Sequence, residues 1–402
     1  MKCKHLWRHL DFHNTGSYTP CFRFKVDKGH NFGGVNHDLN LPSVAFNSTE
    51  WQNARQQMIN DEWPAGCRTC KMQEEAGIQS YRLKSLEDDR VPDPDWTNTV
   101  SVCNELQLKL SKACNFLCRH CNVGSNSSFL EIGKKHPQIA NELEEKHFFD
   151  HLKSNGAHDG ISIPTREIID DLFENILPTT HIIEFAGGEP FYHAEMYRFL
   201  QRMIDDPKID TSKIILQYNS NLSMLKFKDW DLVSLWENFK GIHLTVSMDG
   251  TGGVYNYFRQ NGDYDQVIEN IWTLLGSTNK IISLLLVCTT SAYHAFYLNE
   301  ISRDLRELRD EILHKYKDIN TIVKATFVHF PKGLDVVNLA EETKKKILDE
   351  LEIDEFTSEI AQRMRGNRTL PEETFKDIVR LQDEIYKRDA SVLAPKIFDY
   401  CY

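Results

Sequence analysis

The sequence predicts an α/β protein built around a parallel sheet or a barrel of six strands. Two observations predict this class. From Glu105 onward, segments with the apolar pattern of strands alternate with segments of helical spacing, and a strand followed repeatedly by a crossover helix is typical of parallel pairing. The length of 402 residues leaves room for one such domain of about 200 to 250 residues and for something smaller.

Six segments are predicted strands. "ELQLKL" alternates, "HIIEFAGGEP" ends in glycines, and the others are "KIILQYNSN", "GIHLTVSMDG", "IISLLLVCTT" and "TIVKATFVHF". Helical spacing marks "REIIDDLFENIL", "AEMYRFLQRMI", "WDLVSLWENF", "YDQVIENIWTLL" and "LNEISRDLRELRDEIL". We predict a polar N-terminal region over 1–100 with a helix near 50–59, the α/β unit over 101–335 with an insertion at 122–165, and a helical extension over 336–402.

Composition and charge exclude several classes of protein. The 59 acidic and 47 basic residues give a formal charge of −12, which disfavours long nucleic acid because phosphate neutralisation supplies most of that affinity. No apolar run reaches the roughly 18 residues of a membrane span, and the N-terminus lacks the apolar segment of a secretory signal. We therefore expect a soluble, cytoplasmic protein, in which ten cysteines favour metal binding or catalysis over disulfides.

Three cysteines follow the first predicted strand in "ACNFLCRHC": Cys114, Cys118 and Cys121. The loop after a parallel strand lies at the carboxyl edge of the sheet, where such folds bind their ligands. Three thiolates suit an iron–sulfur cubane that keeps one iron open. A structural zinc site is the alternative, but it needs a fourth ligand, so the spacing favours iron–sulfur.

Two motifs together resemble the radical S-adenosylmethionine (radical SAM) superfamily. The first is the cysteine loop, which has the form CxxxCxΦC with His120 at the aromatic Φ position. The second is a GGE motif at the end of the next strand, formed here by Gly187, Gly188, Glu189 and Pro190. The resemblance covers roughly residues 103–330.

The resemblance implies a partial (β/α)6 TIM-like barrel that holds a [4Fe–4S] cluster and S-adenosylmethionine (SAM). An external one-electron donor, such as a flavodoxin or ferredoxin, would reduce the cluster. SAM would then be cleaved to a 5′-deoxyadenosyl radical that abstracts hydrogen from a substrate, in oxidoreductase or lyase-type chemistry. The insertion over 122–165 is expected to help cover the mouth of the barrel, because such a radical needs protection from solvent.

Contacts with SAM are also implied. Backbone carbonyls and the Glu189 carboxylate can accept from the SAM ammonium, and the glycines allow close approach. Ser220 and Asn221 are expected along the ribose. "VSMDGTGGVYNYFR" resembles the "SxDG…R" element of peptide-modifying members, which places Ser247 and Arg259 near the SAM carboxylate and ribose, with Arg259 as a bidentate fork. No catalytic acid or base can be named.

Four further cysteines, Cys3, Cys21, Cys67 and Cys70, lie in the N-terminal region. Their pattern resembles the SPASM or twitch domains that hold auxiliary [4Fe–4S] clusters, although those domains usually follow the barrel. The implied second cluster would accept the substrate electron. A zinc ribbon is the alternative, and Cys103 is a possible replacement for Cys3. We expect the region to depend on the metal, because it has few periodic apolar positions.

The resemblance favours a peptide or protein side chain as the substrate. Radical modification of a nucleotide or another small molecule is the rival hypothesis. A non-catalytic zinc-binding protein is the alternative of a different class.

Overall fold

A single large sheet organises the protein. The structure is a computed structural model that describes residues 1–13, 16–26, 31–145, 164–328 and 331–402. The strands are β1 (His9–Phe12), β2 (Tyr18–Thr19), β3 (Glu105–Leu108), β4 (Leu117–Cys118), β5 (Ile182–Phe185), β6 (Ile215–Ser220), β7 (Lys226–Phe227), β8 (Trp230–Asp231), β9 (Gly241–Ser247), β10 (Arg259–Gln260), β11 (Ile281–Thr290) and β12 (Asn320–Phe327).

Eight strands form this sheet in the order β12-β11-β9-β6-β5-β3-β1-β2. All neighbours pair in parallel except β1 and β2. The six predicted strands are confirmed as β3, β5, β6, β9, β11 and β12, and each pairs with the next of the six along the chain. The α/β class with a mostly parallel sheet is therefore confirmed, while closure into a partial barrel stays a prediction.

Helices connect these strands, as parallel pairing requires. They are α1 (Lys4–Arg8), α2 (Pro42–Ala45), α3 (Thr49–Ile59), α4 (Arg68–Glu75), α5 (Tyr81–Leu86), α6 (Ser128–Lys135), α7 (Pro137–Glu145), α8 (Arg166–Asp171), α9 (Ala194–Asp205), α10 (Leu232–Trp236), α11 (Gly252–Phe258), α12 (Tyr264–Ser277), α13 (Leu298–Lys315), α14 (Glu341–Glu350), α15 (Ser358–Met364), α16 (Thr374–Tyr386), α17 (Ala390–Leu393) and α18 (Pro395–Cys401). The predicted helix near 50–59 is α3, and the predicted C-terminal helices are α14 to α18. None of the helices described is long and apolar enough to cross a membrane.

The N-terminal region contributes to the sheet, which the sequence did not predict. Strand β1 pairs in parallel with β3, with His9 opposite Glu105 and Asp11 opposite Gln107. Trp7 and Trp51 are fully buried in the same apolar core as the sheet strands. The fold of residues 1–100 therefore depends on the sheet as well as on any metal, and a domain boundary near residue 100 stays a prediction.

The insertion predicted over 122–165 begins with α6 and α7. Its first residues hold the loop before them, since the Ser127 N–H donates to the Lys112 carbonyl at 3.0 Å and Asn126 Nδ2 donates to the Phe116 carbonyl at 2.7 Å. Residues 146–163 of the predicted cover lie outside the described residues.

Candidate active site

The three predicted cluster cysteines lie in the loop after β3. Cys118 belongs to β4 and pairs with Arg259 of β10 in a short antiparallel ladder. Burial raises the pKa of Cys118 to about 11, although Arg259 opposes the shift, and burial also raises the pKa of Cys121 to about 12. Burial and the neighbouring Cys118 raise the pKa of Cys114. Cys118 is buried, and Cys114 and Cys121 are half-buried; such thiols ionise when a metal supplies the compensating positive charge.

The glycine motif after β5 touches this loop directly. Gly187 and Gly188 have φ of +81° and +58°, a region that L side chains rarely adopt. A Cβ on Gly188 would lie 2.2 Å from the Ala113 carbonyl oxygen. The Glu189 N–H donates to that carbonyl at 2.8 Å, and the Gly188 N–H donates to the Ser125 carbonyl at 3.0 Å. Glycine is therefore required here so that the strand end can pack against the cysteine loop.

Glu189 joins the ends of β5 and β6. Its carboxylate accepts from Ser220 Oγ at 2.7 Å, from the Asn221 N–H at 2.6 Å and from the Phe191 N–H at 3.1 Å. Burial raises the pKa of Glu189, and these hydrogen bonds oppose the rise. Asn221 Nδ2 also donates to Asn115 Oδ1 in the cysteine loop at 3.0 Å. Ser220 and Asn221, which we expected along a ribose, thus hold Glu189 and the loop in place.

Asp249 contacts both His120, the histidine at the Φ position, and Arg259, the predicted SAM-binding arginine. Its Oδ2 lies 2.6 Å from Arg259 Nη2 and 3.4 Å from His120 Nε2. Burial acts to raise the pKa of Asp249, but Arg259 and His120 hold it below its ordinary value. Burial lowers the pKa of His120. Arg259, expected as a bidentate fork near the SAM carboxylate, is thus already ion-paired with Asp249, while its Nε has no hydrogen-bond partner among the described residues.

The sequence assigned no role to Asp249. The local pattern that could have identified it is the "DG" of "VSMDG". Ser247, two residues earlier, ends β9 opposite Val287 of β11 and is half-buried. It therefore lies at the same carboxyl edge as the cysteine loop.

Asp249, Cys288 and His294 form a buried cluster of possible metal ligands. Within the described ranges this is the one group of three or more His, Cys, Asp or Glu whose ligand atoms all lie within 4.8 Å of one another. The Ser291 N–H donates to His294 Nδ1 at 3.0 Å, so a neutral His294 carries its proton on Nε2. The proton on Nε2 and the Arg259 cation beside Asp249 both disfavour the binding of a metal ion to this cluster. Cys288 is fully buried, as is common for a cysteine that packs as a small apolar residue.

The C-terminal extension supports the cysteine loop from behind, which the sequence did not predict. Arg119 is fully buried; its Nε donates to the Tyr257 carbonyl at 2.8 Å, and its guanidinium stacks 3.7 Å above the Tyr257 ring. Helix α16 supplies Asp383, which pairs with the guanidinium, and Gln382, whose Nε2 donates to the Arg119 carbonyl at 2.8 Å. The loop is therefore held between the sheet and α16.

The four N-terminal cysteines lie around one cavity. Cys3, Cys21, Cys67 and Cys70 line one cavity, although they come from the start of α1, the turn after β2 and the region of α4. Burial, together with a smaller effect of Cys70, raises the pKa of Cys3 to about 11. Cys103 does not line the cavity, and its thiol donates to the Glu105 carbonyl at 3.2 Å. That these cysteines bind a metal stays a prediction.

Comparison with solved structures gives seven matching chains, among which are two structures of one protein. No family model matches the chain, and no curated protein does. Streptococcus suis SuiB bound to precursor peptide SuiA aligns at 14% identity over 84% of this chain and 72% of that one, with a TM-score of 0.33. SuiB bound to S-adenosylmethionine aligns at 14% identity over 77% and 70%, with a TM-score of 0.30. These values are too low to support an inference about the site or substrate of this chain.

Proposed function

We propose that this chain is a radical SAM enzyme that abstracts hydrogen from a peptide or protein side chain. The observation that carries the proposal is the direct contact between its two motifs. The glycines after β5 reach the backbone of Ala113 beside Cys114, and all three loop cysteines lie at the carboxyl edge of a parallel sheet. This edge is where such sheets bind cofactors and substrates.

Cys114, Cys118 and Cys121 are the residues that would hold a [4Fe–4S] cluster, and SAM would bind beside it. When bound, the cluster supplies the electron that cleaves SAM to a 5′-deoxyadenosyl radical. The chain contributes position and charge. Arg259 lies opposite Cys118 in the β4–β10 ladder, so its cation acts to lower the pKa of that thiol, while its partner Asp249 acts in the opposite direction. Glu189 fixes the two strand ends that would face SAM.

Cys3, Cys21, Cys67 and Cys70 would hold a second [4Fe–4S] cluster, and the spacing of their sulfurs supports this over zinc. Zinc–sulfur bonds of about 2.3 Å place the sulfurs of a tetrahedral site about 3.8 Å apart. In the part of the chain that the structure describes, no three of these sulfurs lie within 4.8 Å of one another. A cubane keeps its thiolates farther apart, because each binds a different iron.

A peptide substrate is supported by the sequence resemblance of the "VSMDGTGGVYNYFR" segment to peptide-modifying members. In this segment β9 ends at Ser247, and Asp249 follows at the carboxyl edge, paired with Arg259.

Anaerobic purification and reconstitution test the proposal. We expect a brown protein that contains iron and sulfide in the proportion of two [4Fe–4S] clusters and that forms 5′-deoxyadenosine from SAM under dithionite. A colourless protein that contains zinc alone, or an iron-loaded protein that leaves SAM intact, would contradict the proposal.

A further inference from the structure

Two buried donors beside the cysteine loop have no acceptor. Tyr255 is 0% exposed, and its hydroxyl has no hydrogen-bond partner in the described part of the chain. The Nε of the buried Arg259 also lacks a partner there. A buried polar group without a partner is costly and rare in folded proteins. The Tyr255 hydroxyl has no role in the site described above, so it requires its own explanation.

The hydroxyl end of Tyr255 packs beside the cysteine loop. The Arg259 guanidinium carbon lies 5.9 Å from the centre of the Tyr255 ring, and Arg259 pairs with Cys118. A Cβ on Gly262 would lie 3.1 Å from Tyr255 Cε1 and 3.1 Å from Phe116 Cε2. Phe116 belongs to the loop, two residues before Cys118, and Cε1 is bonded to the ring carbon that carries the hydroxyl. The hydroxyl is therefore close to the loop that would hold the first cluster.

The charged groups around Tyr255 do not use its hydroxyl. Burial raises the pKa of Tyr255, and Arg259 opposes the rise. Negative charge on Cys118, Asp249 and Glu189 adds to the rise, which places the hydroxyl among the acceptors of the site. Glu189 instead accepts from three other donors, and Asp249 is paired with Arg259. An acceptor for Tyr255 must therefore come from outside the described residues.

We propose that the Tyr255 hydroxyl donates a hydrogen bond to an inorganic sulfide of the [4Fe–4S] cluster held by Cys114, Cys118 and Cys121, and so raises the reduction potential of that cluster. The inference rests on the proposed function and adds a residue that tunes its cluster. Hydrogen bonds to the sulfurs of such clusters help to set their potentials. Reduction adds negative charge to the cluster, so a hydrogen bond to a sulfide favours the reduced state.

A redox titration of the reconstituted holoenzyme, followed by electron paramagnetic resonance without SAM, tests this inference. The signal of the loop cluster is the one that disappears when Cys114, Cys118 and Cys121 are all Ala. Tyr255→Phe removes the donor at nearly constant shape, and we expect it to lower the midpoint potential of this signal. Replacing Tyr255 by 3-fluorotyrosine keeps the hydroxyl and makes it a stronger donor, so the potential should rise above that of the wild type.

Tyr264→Phe is the matched control for the potential. The ring of Tyr264 lies 5.7 Å from the ring of Tyr255, but Tyr264 lines a surface cavity with Trp272 and Glu311. We expect this variant to keep the wild-type potential.

Urea unfolding of the iron-free proteins supplies a second measurement. Because the Tyr255 hydroxyl has no partner among the described residues, Tyr255→Phe should leave the stability of the iron-free protein unchanged or raised. Tyr257→Phe is the comparison, since the Tyr257 hydroxyl donates to Asp383 Oδ1 at 2.9 Å, and it should lower the stability. An equal loss in the two variants would show that Tyr255 has a partner in the protein and would overturn the inference.

A wild-type potential in iron-loaded Tyr255→Phe, or an equal shift in Tyr264→Phe, would also overturn the inference. If Tyr255→Phe does not load iron, the fluorotyrosine variant decides, and a potential that does not rise contradicts the inference. SAM cleavage is measured in parallel. Protein that cleaves SAM but shows no shift overturns this inference alone, whereas protein that shows both shifts but leaves SAM intact supports it and contradicts the proposed function. Wild-type protein without a cluster signal from the loop contradicts both.

Discussion

The Asp249 carboxylate and the Arg259 guanidinium form a buried ion pair with 2.6 Å between Oδ2 and Nη2. Arg259 is opposite Cys118 in the β4–β10 ladder, and the Thr289 N–H donates to Asp249 Oδ1 at 2.7 Å. The pair therefore connects the cysteine loop to the ends of β9 and β11. Its carboxylate also lies near His120.

Asp249→Asn should destabilise the protein and loosen the cysteine loop. The amide keeps the size of the side chain but leaves the Arg259 charge buried without its counter-ion, and losing one partner of a buried pair costs about 3–5 kcal/mol. Urea unfolding measures the loss. Asp349→Asn, at an exposed site on α14, is the matched control and should change stability by less than about 0.5 kcal/mol. Equal stability of the two variants would show that the pair contributes nothing.

Gly188→Ala should disrupt the contact between the glycine motif and the cysteine loop. The added Cβ would meet the Ala113 carbonyl oxygen at 2.2 Å, at a residue with φ of +58°. We expect a large loss of iron from the site of Cys114. Gly77→Ala is the control, because Gly77 has a similar φ of +72° but nothing within 4 Å of the place where a Cβ would lie, so it should lose only about 1 kcal/mol to backbone strain. The iron content of both variants is the measurement that tests this prediction. A full iron content in Gly188→Ala would refute the assigned contact.

His294 should make the protein less stable as the pH falls. Burial lowers the pKa of His294 to about 3 from its ordinary 6.5. The unfolded chain therefore takes up a proton below about pH 6.5 that the folded chain refuses, and this contribution to stability is lost as pH falls toward about 3. Between pH 7 and pH 5, His294→Gln should lose less stability than the wild type. His37→Gln, at an exposed histidine, should follow the wild-type profile, and a His294→Gln profile parallel to wild type would contradict the prediction.

Replacing Cys67 and Cys70 by Ala should remove about half of the iron and spare SAM cleavage. The two residues line the N-terminal cavity with Cys3 and Cys21, away from the loop after β3. Because β1 is paired in the sheet, we expect new protease sites to appear first around residues 64–90 rather than throughout 1–100. Cys103→Ala, whose thiol lies outside the cavity, should keep its iron. Full iron content in the double variant would exclude a second cluster at this site.

The sequence predicted the six central strands because their apolar runs are four to ten residues long and are separated by amphipathic helices. It did not predict β1, since "HLDF" is too short to show a period and is buried at all four positions. The cysteines and glycines of the site belong to local sequence motifs, which made them predictable. Gln382 and Asp383 belong to no local motif, because their roles depend on partners far away in the chain, such as Arg119 with Asp383. Asp249 lies within the "SxDG…R" element, but its pairing with Arg259 appears only in the structure.

The most direct test of the central claim is the formation of 5′-deoxyadenosine from SAM by the reconstituted protein under dithionite, compared with a variant in which Cys114, Cys118 and Cys121 are all Ala. We expect the wild type to form 5′-deoxyadenosine and the triple variant to form none, while the triple variant keeps the iron of the N-terminal cysteines. Formation of 5′-deoxyadenosine by the triple variant at the wild-type rate would show that these cysteines do not hold the cluster that cleaves SAM.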